Sequence, residues 1–374
     1  MKVYLDNAAT TPLRREVIDE MIPFLEEHYG NPSSIHSYGR TVRAKIEKGR
    51  KLISNLLHCS PSEVYFTSSG TEANNMIIKQ SVKDLGVKHV ISSKIEHHCV
   101  LHCVEEVGKL SDVNLHYVDL KENGHVDMGS LEKILSGLDQ QALVSLMHAN
   151  NEIGNLIDLK ELSGICRKHG AYLHSDTVQT MGHYPFDLSE LDIDFLSGSA
   201  HKFHGPKGAG MMYIKGDLKL NALIHGGAQE RNMRAGTENS YGIIGLIKAF
   251  ELAHEEMEKD TTYIEGVRKY MIDKLRKEIE GVAFNGDPEG RSLYTVLNVS
   301  FPAGKDNDML LFNLDIAGIA VSSGSACSSG SSVGSHVLSS INSSSERVSA
   351  RFSFSRYNNE EEIDYVVEQL KRCF

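Results

Sequence analysis

Short apolar runs recur along the first two thirds of the chain, each closed by small or polar residues: EVYFTSS, HVISS, NLHYVDL, ALVSLMH, AYLHSD and DFLSGS. Runs of this length bounded by turn-forming residues read as strands. Polar turns and segments of helical period separate them. Strands interleaved with helices imply parallel pairing through crossovers, hence an α/β fold with a mainly parallel sheet flanked by helices. Several runs end in Ser, His or Asp, at the edge where such a sheet places its ligand.

The pattern changes near residue 250. GIIGLIKAFELAHEEMEKDTTYIEGVRKYMIDKLRKEIEG predicts one long amphipathic helix running away from the first sheet. YTVLNVSFP and LLFNLDIAGIAVSSGSACSSGSS then read as a smaller α+β unit, closed by a helix over EEEIDYVVEQLKRCF. The expected division is a large domain over 13–255 and a small domain built from 1–12 and 256–374. The Ser/Gly-rich stretch from Ser322 to Ser345 reads as a mobile loop.

Composition narrows the function. At 374 residues the chain exceeds one small module, and 40% hydrophobic with 24% charged residues is the balance of a folded soluble protein. A formal charge of -11 gives no general attraction to nucleic acid or an anionic membrane. No apolar run is long enough for a bilayer, and MKVYLDNAATTP lacks the apolar core of a signal peptide, so the expected location is cytoplasmic. Six scattered cysteines (Cys59, Cys99, Cys103, Cys166, Cys327 and Cys373) form no disulfide framework.

Three segments carry candidate chemistry. In FTSSGTEANN a strand runs into Gly70 and Thr71 at a helix start, where backbone N–H groups and a hydroxyl can hold an anion; a capped helix start with Thr71 as N-cap is the alternative. In AYLHSDTVQ, Asp176 closes a strand. It either caps the next helix or pairs with a protonated heterocyclic nitrogen, with Gln179 one turn on able to donate to a neighbouring oxygen. In DFLSGSAHKFHG, Lys202 follows a strand and very small residues. It reads as a surface lysine or as an amine nucleophile, with Ser199 and His201 beside it able to hold a phosphate. Taken together, a phosphate cradle, an acid for a ring nitrogen and a Schiff-base lysine fit pyridoxal phosphate.

Further candidates lie outside these segments. If KIEHHCVLHCVEE is helical, His98 and His102 share a face, as do Cys99 and Cys103, a possible zinc set, although no second cluster supports it and no metal is expected. His97 sits instead at a strand-to-helix junction facing a ligand. Cys327, in SSGSACSSGSS, lies in a loop without apolar neighbours, as an incidental cysteine or as a nucleophile that swings toward a substrate. Arg351, in SARFSFSR, is a natural bidentate partner for a carboxylate, whereas Arg356 reads as structural or solvated.

These segments, with YLDNAATTP, GNPSSIH, HANNEIG and RAGTEN, resemble the cysteine desulfurases of the NifS/IscS type, pyridoxal phosphate enzymes of fold type I in the aminotransferase class-V group, nearly end to end. The resemblance implies conversion of L-cysteine to L-alanine with a persulfide formed on Cys327. Lys202 would carry the cofactor and move protons, Asp176 pair with its ring nitrogen, and Gln179 bond the ring hydroxyl oxygen. His97 would stack on the ring and assist proton transfer as a catalytic residue. Gly70, Thr71, Ser199 and His201 would hold the phosphate, with Thr237 reaching in from a neighbouring subunit of a homodimer. Asn151, at the cofactor, and Arg351 would meet the substrate carboxylate. The sulfur would pass to an acceptor protein, an iron–sulfur scaffold or a tRNA-thiolation relay. A selenocysteine lyase or another class-V reaction is the alternative. Phe203-His204 and Phe354-Ser355 depart from the family's usual residues without removing a catalytic group, and the short segment after the last helix leaves the acceptor open.

Overall fold

The structure is a computed structural model that describes residues 1–110, 112–303, 309–323, 334–341, 343–344 and 347–374. The first strand, β1 (Val3–Tyr4), stands apart from the principal sheet. That sheet holds β2 (Val64–Thr67), β3 (His89–Ser92), β4 (Asn114–Tyr117), β5 (Ala142–Ser145), β6 (Tyr172–Asp176), β7 (Phe195–Ser199) and β8 (Gly210–Ile214). A three-stranded antiparallel sheet is made of β9 (Ala283–Asn285), β10 (Val296–Phe301) and a later strand, while β11 (Ile319–Ala320) pairs with β1 and β12 (Val348–Ser353) completes the triplet beside β10.

Helices α1 (Arg15–Glu26) and α2 (Ser37–Leu56) precede the principal sheet, and α3 (Gly70–Asp84), α4 (His98–Val107), α5 (Met128–Ser136) and α6 (Leu159–Lys168) alternate with its strands. The remainder are α7 (Ser240–Glu255), α8 (Met257–Glu278), α9 (Leu310–Ile316), α10 (His336–Ser340) and α11 (Glu360–Leu370). None of the described helices is long and apolar enough to cross a membrane.

The principal sheet runs β2-β8-β7-β6-β5-β3-β4. Strands β7, β6, β5, β3 and β4 are parallel, as crossover helices require, and β8 is antiparallel to both its neighbours. β8, GMMYI, is the strand the apolar pattern passes over. All five of its residues are buried. Two apolar cores cover this sheet, one under α1, α2, α6 and α7 and one under α3 and α4. A third joins α8 and α11 to the small sheet and takes in Val3 and Leu5.

The single long helix expected from residue 242 onward is two. It breaks at Glu256 (φ -110°, ψ 6°), whose carboxylate is bonded by both Arg14 and Arg356. The two guanidiniums hold the carboxyl down at about 2, below the ordinary glutamate range. The break lets α7 pack against α1 and α2 while α8 packs against α11. Of the stretch expected as a continuous loop, residues 324–333, 342 and 345–346 lie outside the described residues, and Cys327 with them. His336–Ser340 is helical, capped by Ser335.

The N-terminal segment connects the two sheets. Ser353 N donates to Leu5 O (2.7 Å), Asn7 Nδ2 donates to Ser353 O (2.8 Å), and Ala8 N donates to Ser353 Oγ (2.8 Å). Thr11 N then donates to His201 O (2.9 Å), which ties the same segment to the end of β7.

Candidate active site

Strands β3, β5, β6 and β7 end on one side of the sheet, and a cavity of about 230 Å³ opens there. It is lined by Gly70, Thr71, His97, Asn151, Asp176, Gln179, Ser199, His201, Lys202 and Arg351, so residues from six separate sequence segments converge. Thr237 does not join them. It is exposed and lines a separate cavity with Arg234 and Glu238. Cys327 lies outside the described residues, but the described residues on either side of it reach the site. Ser322 O accepts from Arg351 N (2.7 Å), and His336 lines the cavity.

Lys202 sits in the turn directly after β7. Its Nζ donates to the carbonyl oxygens of Ala8 and Ala9, the latter at 2.9 Å. Gln179 Nε2 donates to the same Ala8 oxygen at 3.1 Å. The lysine of the motif is therefore no surface residue; it points into the cavity and is received by the N-terminal segment.

Asp176, the last residue of β6, is 6% exposed. Its Oδ1 accepts from Val178 N (2.9 Å) and its Oδ2 from Asn74 Nδ2 (2.7 Å). Burial nonetheless pushes its carboxyl above the usual aspartate range, against these bonds and the positive charge of Lys202. Among the described residues no cation is within ion-pair distance of this carboxylate, and a protonated ring nitrogen would supply one.

His97 is the N-cap of α4. Its Nδ1 accepts from Cys99 N at 3.2 Å. Burial, reinforced by the charge of Lys202, lowers its pKa to about 4, so the imidazole is neutral near pH 7. His201, with Nδ1 3.3 Å from Thr10 Oγ1, is likewise lowered to about 4, first by burial and then by Lys202.

Ser69, rather than Thr71, caps α3, accepting from Glu72 N at 3.2 Å, and this leaves Thr71 exposed on the cavity wall. Gly70 is sterically required, since a Cβ there would lie 2.3 Å from Val178 Cγ2. Bare backbone at a helix start, opposite Ser199 and His201, is a cradle suited to phosphate. With the amine of Lys202 and the carboxylate of Asp176 in the same cavity, the residues present fit pyridoxal phosphate.

Arg351 is 1% exposed. Its Nη1 donates to Asn151 O (2.8 Å) and its Nη2 pairs with Asp6 Oδ1 (2.9 Å). Arg356, by contrast, is engaged with Glu256 and Asp260 (3.2 Å) and takes no part in the cavity. Asp6, Asn74 and the Ala8 and Ala9 carbonyls are the site groups that the motifs did not single out, and Cys99 was weighed only as a zinc ligand. One signal was available for Asn74: two consecutive amides run directly into the apolar Met76-Ile77-Ile78. In α4, Cys103 points into the apolar core, while Cys99 turns to His97 and Asn74.

The chain matches the model of the aminotransferase class-V family over residues 3–366. It is 46% identical to the cysteine desulfurase IscS of Dictyoglomus turgidum, over 99% of this chain and 94% of that one. A solved NifS-like protein superposes with a TM-score of 0.91 at 36% identity, covering 100% of this chain and 99% of that chain. SspA, solved in complex with cysteine, gives 0.82 at 29% identity, covering 96% and 100%. The chain belongs to the aminotransferase class-V family, and within it to the cysteine desulfurases of the NifS/IscS type.

Proposed function

We propose that the chain is a pyridoxal phosphate-dependent cysteine desulfurase that converts L-cysteine to L-alanine and takes the sulfur onto Cys327. The observation that carries this reading is the convergence of Lys202, Asp176 and Arg351 on one cavity at the strand ends. When bound, the cofactor supplies an aldehyde for an amine and a ring that draws electrons from the substrate Cα.

Gly70, Thr71, Ser199 and His201 hold the phosphate, Asp176 the ring nitrogen and Gln179 the ring oxygen. His97, neutral and partly buried against the ring position, excludes water from one face. Lys202 Nζ carries the proton between Cα and the cofactor, and the Ala8 and Ala9 carbonyls receive its ammonium between transfers. Arg351 binds the substrate carboxylate, with Asn151 beside it. The Cys327 thiolate attacks the substrate sulfur. The new S–S bond forms as the Cβ–S bond breaks, the electron pair stays with Cβ, and protonation there leaves alanine.

The persulfide then passes to an acceptor protein for iron–sulfur cluster assembly or tRNA thiolation, in the cytoplasm. The working unit is a homodimer in which Thr237 of each chain completes the other's phosphate site. Two observations support it: the exposure of Thr237 away from its own cavity, and a patch of exposed Tyr29 (70%), Ile35 (90%) and Tyr38 (56%). The domain division falls at the Glu256 break, with residues 1–12 assigned to the small domain.

The test is incubation with L-cysteine and excess thiol, assaying alanine and sulfide together. Equal amounts, lost in Cys327→Ala, support the reading; keto acid in place of alanine, or an unaffected Cys327→Ala, rejects it. Borohydride reduction followed by peptide mapping must place the cofactor on Lys202.

A further inference from the structure

Asn74 is fully buried in the second turn of α3, below the cavity floor, and is not among the residues lining the cavity. Its Nδ2 donates to Asp176 Oδ2 at 2.7 Å and to Cys99 Sγ at 3.3 Å. Its Oδ1 faces His174 Nε2 at 3.1 Å, and His174 Nδ1 lies 2.8 Å from Ser145 Oγ.

The carboxylate settles every proton in this chain. Asp176 only accepts, so the amide nitrogen of Asn74 faces it and the amide oxygen faces His174. His174, 0% exposed and held neutral by burial with a pKa of about 3, therefore carries its hydrogen on Nε2 and accepts from the Ser145 hydroxyl at Nδ1. On the other side, His97 Nδ1 already accepts from Cys99 N, so it has no hydrogen to give. The Cys99 thiol, pushed up to about 12 chiefly by burial, donates to it across 2.9 Å. The remaining hydrogen of His97 is on Nε2. One amide thus fixes the carboxylate directly and meets, through a protonated thiol, an imidazole whose tautomer the Cys99 backbone N–H already sets.

We propose that Asn74 is the positioning residue of the cofactor site, orienting Asp176 toward the ring nitrogen. This rests on the assignment of Asp176 to the cofactor. Asn74 touches neither cofactor nor substrate; it acts through those that do. A histidine with Nδ1 locked in a helix cap exchanges protons only at Nε2, which makes the ring a one-sided proton carrier.

The experiment titrates the full-length apoprotein with pyridoxal phosphate, following the visible band of the bound cofactor, for wild type, Asn74→Asp and Asn74→Ala. Asn74→Asp keeps the shape and replaces both donors with acceptors. Losing a hydrogen bond to a charged group predicts a dissociation constant raised about tenfold or more in both variants. The band should also shift, with the melting temperature of the apoprotein changed little. Cys99→Ala leaves the bond from Asn74 to Asp176 intact, and its dissociation constant should stay within about twofold of wild type. Asn74 variants with wild-type affinity and band overturn the proposal, as does a Cys99→Ala loss equal to that of Asn74→Ala. Asp176→Ala separates the two levels. If it too binds like wild type, the cofactor assignment falls and takes the proposal with it; if it alone is weakened, only the role of Asn74 is wrong.

Discussion

The Asp6 carboxylate lies 2.9 Å from the Arg351 guanidinium, so the residue proposed to bind the substrate is held by one 345 positions earlier in the chain. Together with the Asn151 carbonyl, Asp6 fixes the plane of the guanidinium before any ligand arrives. Asp6→Asn keeps the shape but weakens that hold. Steady-state kinetics should show KM for L-cysteine raised about tenfold with kcat nearly unchanged, the signature of lost ground-state binding. Binding of cysteamine, which has no carboxylate, should be unaffected.

Gly70→Ala places a methyl group 2.3 Å from Val178 Cγ2, at the start of α3 where the phosphate cradle forms. Relieving that overlap displaces either the helix start or the turn after Asp176. Overpacking of this kind costs about 1–3 kcal/mol, so affinity for pyridoxal phosphate should fall about tenfold or more. Gly70→Ala combined with Val178→Ala removes the obstructing methyl and should recover most of it. Titration of the apoproteins checks both.

The histidines give the fold a directional pH dependence. His97, His148, His201 and His204 are lowered to about 4 and His174 to about 3, chiefly by burial, against an ordinary value near 6.5. Between pH 6.5 and 4 the unfolded chain binds protons that the folded chain refuses, so stability rises with pH there. It is fully present above 6.5 and is lost as pH falls toward 4. Glu96, Glu152, Asp176, Asp194, Glu238 and Asp260, all raised by burial, act in the opposite sense above the ordinary carboxylate range, but the lowered histidines, with His98, His116, His183 and His254 added, outnumber them. Scanning calorimetry of the apoprotein should find a melting temperature at pH 5 about 10 °C or more below that at pH 8.

Arg50 and Glu230 form a bidentate pair with both N–O distances 2.8 Å and both side chains nearly solvent-free. Glu230 Oε2 also accepts from Phe66 N at 2.8 Å, which ties the pair to β2 just before the phosphate cradle. Glu230→Ala leaves the Phe66 amide without its acceptor and the buried Arg50 guanidinium with only the half-exposed Glu47 and the Val64 carbonyl. Breaking such a pair costs about 3–5 kcal/mol, visible as a lower urea midpoint at unchanged slope.

What the sequence discloses and what it hides divide along physical lines. Lys202 and Asp176 are legible as candidates because each places a charge at or just after the end of an apolar strand, where a ligand is one of two explanations and the neighbouring segments favour it. Asn74 is not, since an amide inside a helix looks the same whether it faces water or a carboxylate 102 positions away. The Glu256 break is hidden for a similar reason: helical periodicity runs straight through it, and its cause is two arginines, one from each end of the chain. β8 escaped because a short apolar run behind a glycine turn has no period of its own.

The attachment of residues 5–8 to Ser353 has a temporal meaning. Synthesis produces those residues long before the strand they pair with. The principal sheet can gather while synthesis continues, and it holds the segment through His201 and Gln179, yet the bonds from Ser353 that complete its attachment form only after β12 has emerged. Vitamin capture at full strength therefore waits on β12, and a nascent chain halted before residue 348 should hold the cofactor more weakly than the same chain carried past residue 353.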